Sequence, residues 1–239
     1  MPSEFRRHVI WMTIFFAAMA FLESAVVVYL RALYYPTGFD FPLVPMDRNL
    51  VTTEVAREAA TLLMLLVPGA LVARSALARF AWFCFGFGVW DIFYYVWLKV
   101  LLGWPESLYS RDLLFLIPVP WVGPVWAPCI VSLGLIVLAL TLLYGRSKRP
   151  VGLVDVWTWS LLGLSAVLIF ISFTLDPLLN SFSGKDLLLS DGVQQSQEMA
   201  LQRGRSYIPV HFPWEWFVSG CIIGILAVLR CFQRARVVG

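Results

Sequence analysis

The chain has 239 residues, of which 60% are hydrophobic and 14% charged, with a mean hydropathy of +0.79. Soluble domains run nearer half apolar and a quarter charged, so these figures exclude a soluble enzyme and a disordered chain alike. The four cysteines (Cys84, Cys129, Cys221 and Cys231) lie within three of the apolar stretches with no CxxC pair, which argues against a zinc ribbon or a disulfide framework.

Six continuous apolar stretches follow one another, at about 9–31, 53–73, 79–102, 125–145, 153–175 and 211–232. Each reaches the roughly 20 residues that a helix needs to cross a hydrocarbon core. The runs are continuous rather than alternating, which argues against a β-barrel. The fold class expected is therefore an all-α integral membrane protein, a single domain built as a six-transmembrane-helix bundle.

The first stretch follows Arg6 and Arg7 as a signal sequence would, but it is long, carries Glu23 and has no clear small-residue cleavage site. It reads as a retained first helix. The second opens with Glu54, Arg57 and Glu58 on one helical face. The third carries Asp91 at its middle, and Lys99 follows Asp91 by eight residues, as Arg31 follows Glu23. That spacing is about 12 Å along a helix. With Tyr35-Pro36 and Trp104-Pro105 closing both runs, spans 1–2 and 3–4 read as a parallel two-helix repeat.

Three longer connections, 32–52, 103–124 and 176–210, lie at one end of the bundle. In the second, residues 110–117 read as a short amphipathic helix, capped by Ser110 and ended by Pro118, folding over the mouth of the bundle. In the third, a short helix is expected from Asp191 to Gly204. Spans 4 and 5 hold no charge in their central portions. Span 6 opens with His211 and Glu215 one turn apart, and it carries Gly220 and Gly224 in the GxxxG spacing of close helix contacts.

With both termini cytoplasmic, the inner segments hold ten basic residues (Arg6, Arg7, Arg74, Arg79, Arg146, Lys148, Arg149, Arg230, Arg234 and Arg236) against Glu4 and Asp155, a balance of +8. The other eight basic and thirteen acidic residues leave −5 in the outer half, so the orientation is steeply determined and the localisation expected is the plasma membrane. The basic character then reflects topology and anionic lipid, and the partner is a lipid bilayer, with no nucleic acid. Ten of the eleven Trp residues sit near span ends as an interfacial belt, leaving Trp90 near mid-membrane.

Ionisable groups inside a bilayer are expensive and face protein or water. Glu23, Arg57, Glu58, Asp91 and Lys99 gather in the outer half, which reads in two ways. Structural ion pairs, Glu23 with Arg57 or Asp91 with Arg31, would tie helices together. Alternatively, the groups line an outward-facing polar chamber, with Asp91 or Glu23 as acid/base and Arg31, Arg57, Glu58, Tyr94, Tyr95 and Lys99 as ligand-binding residues. The weaker metal candidates are Glu23, Glu58, Asp91, His211 and Glu215, which offer oxygen and imidazole donors without an HExxH or ExxH motif. No cofactor is indicated, because Walker A, GxGxxG and GxSxG motifs are all missing. Binding or processing of an amphipathic, lipid-like ligand is the leading expectation. The alternative is a non-catalytic accessory subunit docking on other membrane subunits. A transporter or channel ranks third, because the inner half of the bundle lacks polar residues to complete a pathway.

Overall fold

The computed structural model describes residues 3–44, 46–148, 153–181, 207–209 and 211–236. Six helices, α1 (Ser3–Tyr34), α2 (Arg48–Val72), α3 (Ala76–Leu102), α4 (Trp126–Lys148), α5 (Val156–Ser181) and α6 (Trp214–Arg236), account for most of it. All six are long and apolar enough to cross a membrane. They extend past several of the expected spans, most clearly at the start of α1 and α2, since a helix continues beyond the hydrocarbon where polar residues can still hydrate it. Local signals set the boundaries. Asp47 caps α2 by accepting from the Asn49 N–H at 2.8 Å, and Ser75 caps α3. Gly103 ends α3 in the left-handed region at φ 69°.

The segment expected as a helix over 110–117 is instead a strand. β1 (Arg111–Phe115) pairs antiparallel with β2 (Trp121–Pro124), with Asp112 opposite Gly123, Leu113 opposite Val122 and a register shift before Phe115. Pro118 and Pro120 occupy the turn between the strands, where neither N–H is missed. Pairing lets each strand satisfy the other's backbone, which an isolated extended segment at the membrane edge could not do. Gly123 is fitted beneath the Phe173 and Phe212 rings, where a Cβ would fall 2.7 Å from Phe173. The hairpin does close over one end of the bundle, as the position of the loop in the sequence suggested. The helix expected between Asp191 and Gly204 lies outside the described residues.

Helix α3 is the axis of the bundle. α1, α2 and α4 all pack against it, α6 joins α4, and α5 pairs with α6, while α1 and α2 scarcely meet along their backbones. Lipid tails are as apolar as leucine, so close packing and interhelical hydrogen bonds hold such a bundle together. Phe16 of α1 seats its ring on Gly86 of α3, and Gly88 lies against the Ser132 carbonyl of α4. The Gly220/Gly224 pair makes the same kind of contact within the chain. Gly220 faces Leu168 and Ile169, Gly224 faces Ser165, and the Ser165 hydroxyl donates to the Gly220 carbonyl at 2.8 Å. At the end away from the hairpin, Asp155 accepts from the Thr158 N–H and hydroxyl and pairs with Arg230 and Arg234 of α6.

A methyl group at Gly88 would sit 2.5 Å from a backbone carbonyl that cannot move aside. Gly88→Ala is therefore expected to destabilise the bundle by about 1–3 kcal/mol, read as a fall in thermal unfolding midpoint in mild detergent. Gly134→Ala, with nothing within 4 Å of its Cβ, should leave the midpoint unchanged.

Candidate functional site

Because α1 and α2 lean on α3 rather than on each other, a space opens between them beneath the hairpin. It is a cavity of about 250 Å³. Glu23 and Arg31 line it from α1, Glu54, Arg57, Glu58 and Thr61 from α2, and Trp90, Asp91, Tyr94 and Tyr95 from α3. Residues 112–116 of the hairpin and part of the connection after α1 complete the wall. At roughly 30 Å³ per water, it has room for about eight waters.

Most of the charges in this wall are matched. Glu23 accepts from the Arg57 guanidinium and from the Thr61 hydroxyl, bridging α1 to α2. Arg57 also donates through Nε and Nη2 to Glu54, at 2.9 and 2.8 Å. The two oxygens of Glu58 accept from the Leu116 backbone N–H at 3.0 and 2.9 Å, fixing the hairpin to α2. Asp112 fixes it to the other two helices, accepting from the Tyr95 hydroxyl at 3.2 Å and lying 3.7 Å from Arg31. The Arg31 guanidinium also stacks on the Phe39 and Trp104 rings, 4.5 and 3.9 Å from their centroids. Buried ions become tolerable when each finds such partners.

Asp91 is the exception. It is 6% exposed, and its Oδ2 accepts from the Ser132 hydroxyl of α4 at 2.7 Å. Oδ1 accepts no hydrogen bond from a described residue, and no described basic group lies within ion-pair distance. The indole N–H of Trp90, one residue before it in the cavity wall, also has no acceptor among the described residues.

Of the residues singled out from the sequence, Glu23, Arg31, Arg57, Glu58, Asp91, Tyr94 and Tyr95 are brought together around the cavity. Lys99 is not. Its amine donates to the Gly103 and Pro105 carbonyls at 2.8 and 2.7 Å, closing the end of α3. His211 and Glu215 are exposed at the start of α6, away from the cavity. Among the described residues, no group of three or more His, Cys, Asp or Glu is disposed to hold a metal ion. Of the two ion pairs considered, Glu23 with Arg57 forms, whereas Arg31 pairs with Asp112 rather than Asp91. Asp112, Thr61 and Ser132 were missed. Thr61 sits one turn beyond Arg57 on the charged face of α2, and Ser132 is a polar residue inside an apolar stretch, so both had a signal. Asp112 was hidden by reading its segment as a helix.

A second, almost wholly apolar cleft of about 590 Å³ lies along the same seam toward the far end. His8, Trp11 and Phe15 of α1 and Leu63, Met64 and Leu71 of α2 line it. The Glu23 bridge to Arg57 and Thr61 crosses the seam between the two spaces.

Burial pushes the Asp112 carboxyl from the ordinary 3.8 up to about 6, against the pull of Arg31 and the Tyr95 hydroxyl. The folded protein then binds a proton more tightly there than the unfolded chain does. Stability from this group is greatest below the unfolded value and falls as pH rises from about 4 toward 6, staying flat above. Asp112→Asn is expected to remove that slope, measured as unfolding midpoint against pH in wild type and variant. A slope that is unchanged in the variant would assign it to other groups. The chain matches no known family model, no curated protein and no solved structure, so the reading of this site rests on its geometry.

Proposed function

We propose that the chain is a multi-pass plasma-membrane protein with both termini cytoplasmic, whose cavity is an outward-facing chamber that binds or processes an amphipathic, lipid-like ligand. One observation carries this reading: a cavity inside a bundle of long apolar helices is walled by five carboxylates and two arginines, and one of the carboxylates, Asp91, has an oxygen that accepts from no described residue and pairs with no described cation. An all-apolar packing would hold these helices together at less expense, so the polar wall asks for a use. Asp91 is the acid/base in this reading, because its Oδ1 accepts from no described residue. Glu23, held by Arg57 and Thr61, positions the wall instead. Glu58 and Tyr95 tie down the hairpin roof, and Arg57 and Arg31 set the field in the chamber.

The parallel repeat of spans 1–2 and 3–4 belongs to the same proposal. Glu23 and Asp91 are both in the chamber wall, which supports it, although Arg31 joins them there and Lys99 does not. The alternative, an accessory subunit of a larger membrane complex, is favoured by one feature: most of the wall charges are satisfied within the chain, as structural pairs would be.

Two experiments test this reading. Protein purified alone in mild detergent is expected to carry an amphiphile detectable by native mass spectrometry, and Asp91→Asn is expected to lose it. An Asp91→Asn variant that keeps the same occupancy but no longer assembles with partner subunits would favour the accessory role. For orientation, Glu106 is exposed in the connection leading to the hairpin. A cysteine introduced by Glu106→Cys should react with a membrane-impermeant maleimide added outside intact cells; reaction only after permeabilisation would invert the topology.

A further inference from the structure

We infer that the group this chamber accepts is an alkylammonium, held at Asp91 against the aromatic wall of Trp90 and Tyr94; the inference rests on the chamber being a ligand site. The first ground is charge. Glu23, Glu54, Glu58, Asp91 and Asp112 against Arg31 and Arg57 leave the wall at −3, and with Asp91 and Asp112 both protonated it is still −1. A phosphate, sulfate or carboxylate head group would enter a field of its own sign.

The second ground is that the arginines are committed. Arg57 directs Nε and Nη2 to Glu54 and Nη1 to Glu23, so its fork is closed to an incoming anion. Arg31 is held by Asp112 and by the Phe39 and Trp104 rings. Lys99, which the sequence places at the same level, is turned to backbone carbonyls.

The third ground is the setting of Asp91. A carboxylate that is 6% exposed, with one oxygen accepting from Ser132 and the other from no described residue, is strongly unfavourable as an anion unless a cation joins it. In the same stretch of cavity wall the rings of Trp90 and Tyr94 lie 6.2 Å apart at 28°, and Tyr95 stands against Tyr94. Aromatic rings and a carboxylate in one cavity wall suit an ammonium group, through ring quadrupole and direct charge together. The volume of about 250 Å³ suits a small head of this kind.

An ammonium group can arrive on a membrane amphiphile or on a soluble amine, and the test separates them. The full-length protein in maltoside detergent would be photolabelled with a diazirine-bearing dodecylamine, in competition with unlabelled dodecylamine, dodecyl sulfate and methylammonium. The expected result is competition by dodecylamine at about tenfold lower concentration than by dodecyl sulfate, with methylammonium weaker still. Asp91→Asn is expected to weaken dodecylamine about tenfold, and the amine-to-sulfate ratio of the wild type decides the question even if that variant does not fold. Dodecyl sulfate competing as well as the amine, or an unchanged affinity in folded Asp91→Asn, would overturn the ammonium assignment while leaving the chamber as a ligand site. Equal competition by methylammonium would keep the ammonium and reject a lipid-like ligand. Labelling that nothing competes would reject both.

Discussion

A carboxylate and a guanidinium that meet across the seam between α1 and α2 keep the chamber in shape. The two helices rest separately on α3, and along their backbones they scarcely meet. Glu23 spans the gap to Arg57 and Thr61, and Arg57 is braced in turn by Glu54 on its own helix. In a low-dielectric interior, removing one member of such a pair leaves the other uncompensated, a loss of about 3–5 kcal/mol. The same interaction therefore fixes the spacing of two helices and divides the seam into a polar space above and an apolar one below.

The hairpin depends on that spacing. It contributes no membrane span, yet it touches all three helices of the chamber through polar contacts: Leu116 on α2, and Asp112 between Tyr95 of α3 and Arg31 of α1. Its apolar strand residues close the top with Phe115 and Trp121, and Phe115 lies against the Phe87 and Trp90 rings of α3. The roof is thus fastened to the same carboxylates and arginines that give the chamber its charge. Stability and chemistry share their residues here, and Asp91 stands out as the wall carboxylate with one oxygen that no described donor answers.

Much of this was legible in the sequence, and what was not has physical causes. Long apolar runs give the six helices, because the hydrocarbon thickness sets their length whatever the neighbours. The level at which Glu23, Arg57, Glu58 and Asp91 gather could also be read, since depth follows from position along a helix. Partner choice could not. Arg31 reaches Asp112 and Asp91 takes Ser132 because of how α4 and the hairpin pack on α3, which spacing along one chain does not encode. The hairpin itself was misread as a helix: Leu113–Ile117 is a short apolar run that suits either state. Pro118, read as the end of a helix, lies in the turn of a hairpin. Lys99 illustrates the converse, a base at the expected level that the left-handed turn at Gly103 diverts to backbone carbonyls.

Whether the chamber is a place for a ligand or only a polar joint between helices is decided most directly by looking into it. A high-resolution density map of the protein extracted with its native lipids is the measurement. The account predicts ordered non-protein density between α1 and α2, in contact with Asp91 and the Trp90 and Tyr94 rings. A chamber holding only waters that satisfy Asp91, or one filled by a side chain of a neighbouring subunit, would contradict it.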